Sequence, residues 1–368
     1  MSDDPVPFAV TGVLQQRAWQ RGTLPPVERV RRGLWSIPVP IPESPLRYVL
    51  CYAFEHRAGV VLVDPGWPAD ESYAALAAGL GSFGRSVADV TGVLVTHAHH
   101  DHYGLAARVR AESGAWIAMH ERDVATQTFV GDDYAAALLA RERWLRRTGA
   151  PDLEAVDLAA VRGWALPERP DRNLIDGEHI RIGRFDIEAV WTPGHTPGHM
   201  TFHEQTEAVL LSGDHLLPRI SPNISMFAET EPNPLDDYLA SLAKVSRLPV
   251  EEVLPGHEYR FSGAAARAEQ IRSHHDERLR EILVATQAGE WRSAWLISQN
   301  LTWSRSWDDL GTFGQRMAVG ETLAHLFSLR ERGAVTLTEN NGVWLWRLRR
   351  EARGSTATGR PRRVPLPR

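Results

Sequence analysis

The sequence has one cysteine, Cys51, in 368 residues, so no intrachain disulfide can form. A reducing compartment fits that composition. Cys51 lies in an apolar run, residues 48–54, where a buried thiol is expected rather than a reactive one. Nor is there an apolar run approaching the ~20 residues that a membrane-spanning helix needs. The first 22 residues are polar and hold no apolar core of the secretory-leader kind. These absences point to a cytoplasmic protein with no membrane contact. No internal repeat is present. Excess charge is also scarce, at −5 overall, but it is unevenly spread. From 347 to 368 there are eight arginines against one glutamate, a local +7, which leaves about −12 on the remainder. An acidic body argues against a broad nucleic-acid surface, while the tail keeps a local one open.

What is present suits a globular chain with a sizeable core. It is 43% hydrophobic and 24% charged, and its length predicts two domains or one large one. Residues 1–30 read as an irregular or partly helical lead-in. Residues 35–42 carry a proline at every second position towards the end, which predicts an edge strand or extended segment. Strands are expected at 47–54 and 59–63, joined around His56 in a solvent-exposed turn. A helix at 71–80, a strand at 91–96, a helix at 103–112 and a strand at 115–119 complete an α/β pattern. The stretch of about 123–172 differs, with an amphipathic helix at 134–147. It reads equally as a packing elaboration or as a lid. Strands return at 178–182, 185–191, 200–203, 208–211 and 252–254, with a helix at 235–245 before the last. Beyond 261 come helices at 265–285, 293–299 and 315–332 and a hairpin around Asn340-Asn341-Gly342, a winged-helix-like order over 262–350. The tail, 351–368, is Arg-, Gly- and Pro-rich and predicts disorder.

The chain is organised around Thr96-His97-Ala98-His99-His100-Asp101-His102. An apolar strand precedes this H-x-H-x-D-H pattern and a helix follows it. A strand-to-helix turn can aim several imidazoles and a carboxylate into one space. Three later strand ends add His195, Asp214 and His257, each near a glycine that allows a sharp turn. Seven ligands suit two metals. His97, His99 and His195 form one set, and Asp101, His102 and His257 the other. Asp214 can bridge, one oxygen to each ion. Nitrogen and oxygen donors favour Zn2+, with Mn2+ or Fe possible. Two such ions share a hydroxide at neutral pH, which Asp101 is placed to orient or deprotonate as the catalytic residue. Asp64 and His199 are expected to orient ligands by hydrogen bonding. His100 reads as structural. For His120 and His215 packing is the simpler reading, and His274 and His275, on a helix, read as solvated or packed.

H-x-H-x-D-H, the P-G-H-T-P-G-H loop at 193–199, Ser212-Gly213-Asp214 and Pro255-Gly256-His257 occur in this order. With them the chain, over roughly 30–260, resembles the metallo-β-lactamase fold superfamily in its glyoxalase-II-like dinuclear branch. The resemblance implies an αββα sandwich over 31–261 and a dinuclear metallohydrolase. The C-terminal segment resembles that of lactamase-like proteins that include single-strand endoribonucleases and polyketide thioesterases. True zinc β-lactamases carry a cysteine at the second metal. Here the sole cysteine is distant, so antibiotic hydrolysis is not expected. The expected substrate is a small-molecule ester, thioester or lactone, with a single-strand-specific endoribonuclease as the alternative. Trp67, Arg219, Asn223, Phe227 and Tyr259 follow loops at the metal edge and are candidate substrate contacts. A homodimer through the C-terminal segment is compatible with the pattern.

Overall fold

A computed structural model of the protein describes residues 8–129, 132–151, 165–226, 233–286 and 289–349. The tail from 350 onward and Phe227 lie outside the described residues. Two sheets face each other. The first has seven strands in the order β1 (Glu28–Arg31), β2 (Leu34–Pro40), β3 (Tyr48–His56), β4 (Gly59–Val63), β5 (Val90–Leu94), β6 (Trp116–His120) and β7 (Arg172–Leu174). The second has five, in the order β12 (Glu252–Pro255), β11 (Val209–Gly213), β10 (Met200–Glu204), β9 (Phe185–Trp191) and β8 (Glu178–Ile182).

Period-two alternation in β3 shows how the layers arise. Val49, Cys51 and Ala53 turn to one side, where they join Leu76 and Leu80 of α2 (Asp70–Gly81). Leu50, Tyr52 and Phe54 turn to the other and meet Phe185, Ile187, Phe202 and Leu211 of the second sheet. Side chains on a strand alternate faces, so a run apolar at every position must be covered on both. The second sheet is covered in turn by α7 (Pro234–Val245) and α8 (Ala264–Thr286), with Leu210 and Val253 packing on Tyr238, Leu242 and Ile271. The two sheets and their helix layers therefore form an αββα sandwich.

The proline-rich segment is not an edge. β2 sits between β1 and β3. However, β1 pairs only with residues 34–36, whereas Pro38 and Pro40 pair with β3 alone. Their missing N–H groups face a side with no strand, so the edge rule holds residue by residue. The sheet also starts at Glu28 rather than at 31, and the lead-in carries α1 (Val13–Arg21). Gln15 of α1 is buried and bonded to Ser36 and to the Arg260 backbone N–H. His56 is not a solvent turn: it ends β3, half-buried, with Nε2 2.9 Å from Thr91 Oγ1.

The inserted stretch is partly core. α5 (Glu121–Thr126) follows β6 directly, Phe129 and Leu166 are buried in the first helix layer, and β7 extends the first sheet. Among the described residues of the stretch, α6 (Tyr134–Thr148) is the element that leaves the sandwich. It reaches the C-terminal segment, where Arg147 lies over the Trp344 ring. That segment comprises α8, α9 (Ala294–Ser298), α10 (Gly311–Glu331) and a small sheet ordered β13 (Arg292–Ser293), β15 (Val343–Leu348), β14 (Val335–Asn340). Trp346, fully buried, sits against Phe327 at its centre. No helix among the described residues is long and apolar enough to cross a membrane.

Candidate metal centre

Strands β4, β5, β9, β11 and β12 all finish at one edge of the sandwich and deliver Asp64, His97 to His102, His195, Asp214 and His257 there. The helix expected at 103–112 begins earlier and is broken. α3 (His100–Tyr103) and α4 (Ala106–Ser113) are separated at Gly104, whose missing side chain admits Pro68. The short first turn puts Asp101 and His102 on the side of the other ligands.

The donor atoms fall into two groups. His99 Nδ1 lies 2.9 Å from His97 Nε2 and 3.1 Å from His195 Nε2. His257 Nε2 lies 3.3 Å from both His102 Nε2 and Asp101 Oδ2. Asp214 stands between them. Its Oδ1 is 3.4 Å from His102 Nε2 and from His257 Nε2, and its Oδ2 is 3.5 Å from His195 Nε2. Glycines make room: a Cβ on Gly256 would meet His102 and Asp214.

Outer contacts fix which nitrogen faces inward. His102 Nδ1 donates to Asp64 Oδ2 at 2.8 Å, and Asp64 also accepts from the Thr96 backbone N–H and hydroxyl. Since the Thr96 hydroxyl donates to Asp64, it accepts from His97 Nδ1 at 3.0 Å. His195 Nδ1 donates to the Asn223 carbonyl at 2.9 Å and His257 Nδ1 to the Tyr48 carbonyl at 2.8 Å. In neutral rings all four Nε2 atoms then carry lone pairs, and they converge with His99 Nδ1 and two carboxylates. Lone pairs 3 Å apart repel unless a cation or protons lie between them. Asp214 Oδ1 is buried with no hydrogen bond of good geometry among the described residues. The residues present therefore fit two divalent ions, with a donor set of nitrogen and oxygen only.

The electrostatic surroundings of these groups agree with this arrangement. Burial holds His97, His99 and His195 below the ordinary histidine range, His99 down to about 3. Burial opposes charge on His102 and His257 as well, but Asp214 and Asp101 overcome it. His102 rises, and His257 is pushed up to about 10. Burial also works against the Asp214 carboxylate, yet His257 and His102 hold it well below the usual carboxylate range. Without metal, protons take the cation's place on one side of the site.

Asp64 and His199 both make contacts that orient the site. His199 Nε2 accepts from the Asp214 backbone N–H at 3.2 Å, and its Nδ1 meets Thr192 Oγ1 at 2.9 Å. Asp123 is a further member that sequence reasoning missed. It is fully buried and accepts from the Ala98 N–H, the Gly198 N–H and the Thr196 hydroxyl. It thus clips the H-x-H-x-D-H turn to the 193–199 loop. Burial pushes its carboxyl up to about 6, against those three donors. A single aspartate at the start of a helix carries no motif, and only the fold reveals its partners.

The candidate substrate residues scatter. Trp67 is half-buried, 6.1 Å from the His100 ring at the site's flank. Arg219 turns its guanidinium to Glu258, 3.9 Å away. Asn223 lends its backbone to His195 rather than a free side chain. Tyr259 is buried and bonded to Gln16 of α1, so a rim role does not fit it. His120 stacks on Trp191, and His215 packs edge-on to Tyr238.

Residues 44–257 match the Metallo-beta-lactamase superfamily. The chain belongs to that superfamily. Its fold is similar to that of a metallo-beta-lactamase family protein from Thermus thermophilus, with 33% identity and a TM-score of 0.75 over 87% of this chain and 100% of that one. It is 28% identical to the acyl-coenzyme A thioesterase MBLAC2 of Gallus gallus, over 45% of this chain and 55% of the relative. It is 27% identical to a hydroxyacylglutathione hydrolase of Cereibacter sphaeroides, over 48% and 51%. The chain thus spans about half the length of these curated relatives. The superfamily region ends at His257, so the C-terminal segment lies outside it.

Proposed function

We propose that the protein is a metal-dependent hydrolase of a small-molecule ester, thioester or lactone. The observation that carries this is Asp214, whose two oxygens are divided between two sets of inward-facing donors. His97, His99 and His195 would hold one ion, and Asp101, His102 and His257 the other, Zn2+ best suiting the donors. When bound, such ions supply Lewis acidity and lower the pKa of water to about 7. The chain's own residues do the rest. Asp64, Thr96, Asn223 and Tyr48 fix the ring tautomers, and His199 and Asp123 hold the loops in register. Asp101 is the carboxylate with most access, its side chain 16% exposed against 10% for Asp214. It is placed to orient an attacking water and receive its proton.

Attack on an acyl carbon is favoured over attack on phosphorus by the surroundings. Outside the tail the chain carries about −12, and a phosphate backbone calls for a cationic track. Both curated relatives named above act, by their names, on acyl conjugates. The test is a parallel assay of zinc- and manganese-loaded protein on a thioester and lactone panel and on single-stranded RNA. Acyl hydrolysis lost in Asp214→Ala supports the reading. RNA cleavage lost in that variant, with no acyl turnover, overturns it in favour of a nuclease.

A further inference from the structure

We infer that the C-terminal segment is a working part of the metal centre, with Glu321 of α10 a positioning residue that acts on His195 through Asn223. The inference rests on His195 holding a metal. The link runs through one loop, 221–226, which leaves the Asp214 strand end and passes His195. His195 Nδ1 donates to the Asn223 carbonyl at 2.9 Å. Nothing in the sandwich holds that carbonyl by a regular ladder, since 221–226 has neither helix nor strand. Its support comes from α10. Asn223 Nδ2 donates to Glu321 Oε2 at 3.4 Å, the Ser225 hydroxyl meets the Asn223 side-chain oxygen and the Met317 carbonyl, and the Met226 N–H donates to the Gly320 carbonyl at 3.0 Å. Glu321 is itself held, with Arg278 of α8 3.6 Å from its other oxygen. α6 closes the loop from the far side, as the Trp144 indole donates to the Met226 carbonyl at 2.8 Å.

The consequence is directional. A neutral ligand imidazole offers one nitrogen to a cation while the other keeps its proton, and the acceptor of that proton fixes the tautomer and sets ring orientation. For His97, His102 and His257 that acceptor lies within the sandwich. For His195 it lies on a loop pinned from outside it. Loosening α10's hold therefore weakens the His97, His99, His195 site and spares the Asp101, His102, His257 site.

Zinc titration of the metal-free full chain against a competing chelator tests this. Glu321→Ala should bind one of two ions about 10-fold more weakly, with the other unchanged. Glu321→Gln keeps an oxygen for Asn223 and should restore binding. Asn223→Ala, which keeps the backbone carbonyl but cuts the link, should match Glu321→Ala, and the double variant should show no further loss. That loop variant decides the matter if Glu321→Ala does not fold. Ser298→Ala removes a buried hydrogen bond to Thr322 inside the same segment and should leave both affinities as in the wild type. Unchanged affinity in Asn223→Ala, or equal weakening in Ser298→Ala, overturns the inference. A wild type that binds less than one ion instead defeats the metal reading on which it rests.

Discussion

At the scale of single residues, the metal edge depends on side chains that never meet the metal. Asp123 accepts from three buried donors on two ligand loops. Asp123→Ala leaves them unpaired, at about 1–3 kcal/mol each, and frees the loops to drift. Metal affinity should fall about 10- to 100-fold, read by chelator competition, and an unchanged affinity would show the clip to be dispensable. A second expectation concerns protons. In the metal-free chain Asp214 and Asp101 raise both His102 and His257 above the ordinary histidine range, His257 up to about 10. A raised histidine keeps its proton until pH passes the folded value, so metal must displace it. Zinc binding at pH 7 should release protons, seen as a buffer-dependent enthalpy, and should weaken as pH falls. Binding with no proton release contradicts the assignment. The seven candidate ligands were legible because imidazoles and carboxylates beside glycines at strand ends are rare in combination. Of the four acceptors that orient them, only Asp64 was. Two are backbone carbonyls, of Asn223 and Tyr48, and a carbonyl has no residue identity to read.

At the scale of elements, apolar periodicity located the strands and helices, and its failures have local causes. The proline run gave β2 the look of an edge because pairing is decided residue by residue. The break between α3 and α4 is silent in the sequence because the helical pattern crosses Gly104 without a change in composition. On α8 and α10 the pattern hid a polar pair. His275 and His325 are both buried, with His275 Nδ1 3.1 Å from His325 Nε2. Burial pushes His325 down to about 3, and His275 lower than usual too. A histidine whose folded pKa is depressed leaves the unfolded chain holding more protons below about pH 6.5, so stability falls as pH drops through that value. Between pH 6.5 and 5 this amounts to about 2 kcal/mol for one such group. With metal saturating, His325→Gln should flatten the decline relative to wild type in urea unfolding. Parallel declines would place the effect elsewhere.

At the scale of the molecule, the helix layer outside the second sheet is shared between α7 and the C-terminal segment's α8, and the segment covers α7 in turn. Leu210, Val253, Tyr238 and Leu242 share one buried cluster with Ile271, Leu323, Phe327 and Trp346. A chain ended after residue 262 exposes that face and should be insoluble or unfolded, judged by circular dichroism and sedimentation; a stable, zinc-loaded fragment would mean that the sandwich stands alone. The sandwich itself was readable from the order of strands and motifs. The dependence on the C-terminal segment was not, because it rests on which apolar faces meet. The central claim is the pair of ions divided by Asp214. Elemental analysis of chain purified without chelator and reconstituted with zinc, manganese or iron measures it directly. The account predicts about two ions per chain, and fewer in Asp214→Ala with the fold retained. Less than one ion per wild-type chain after reconstitution contradicts it.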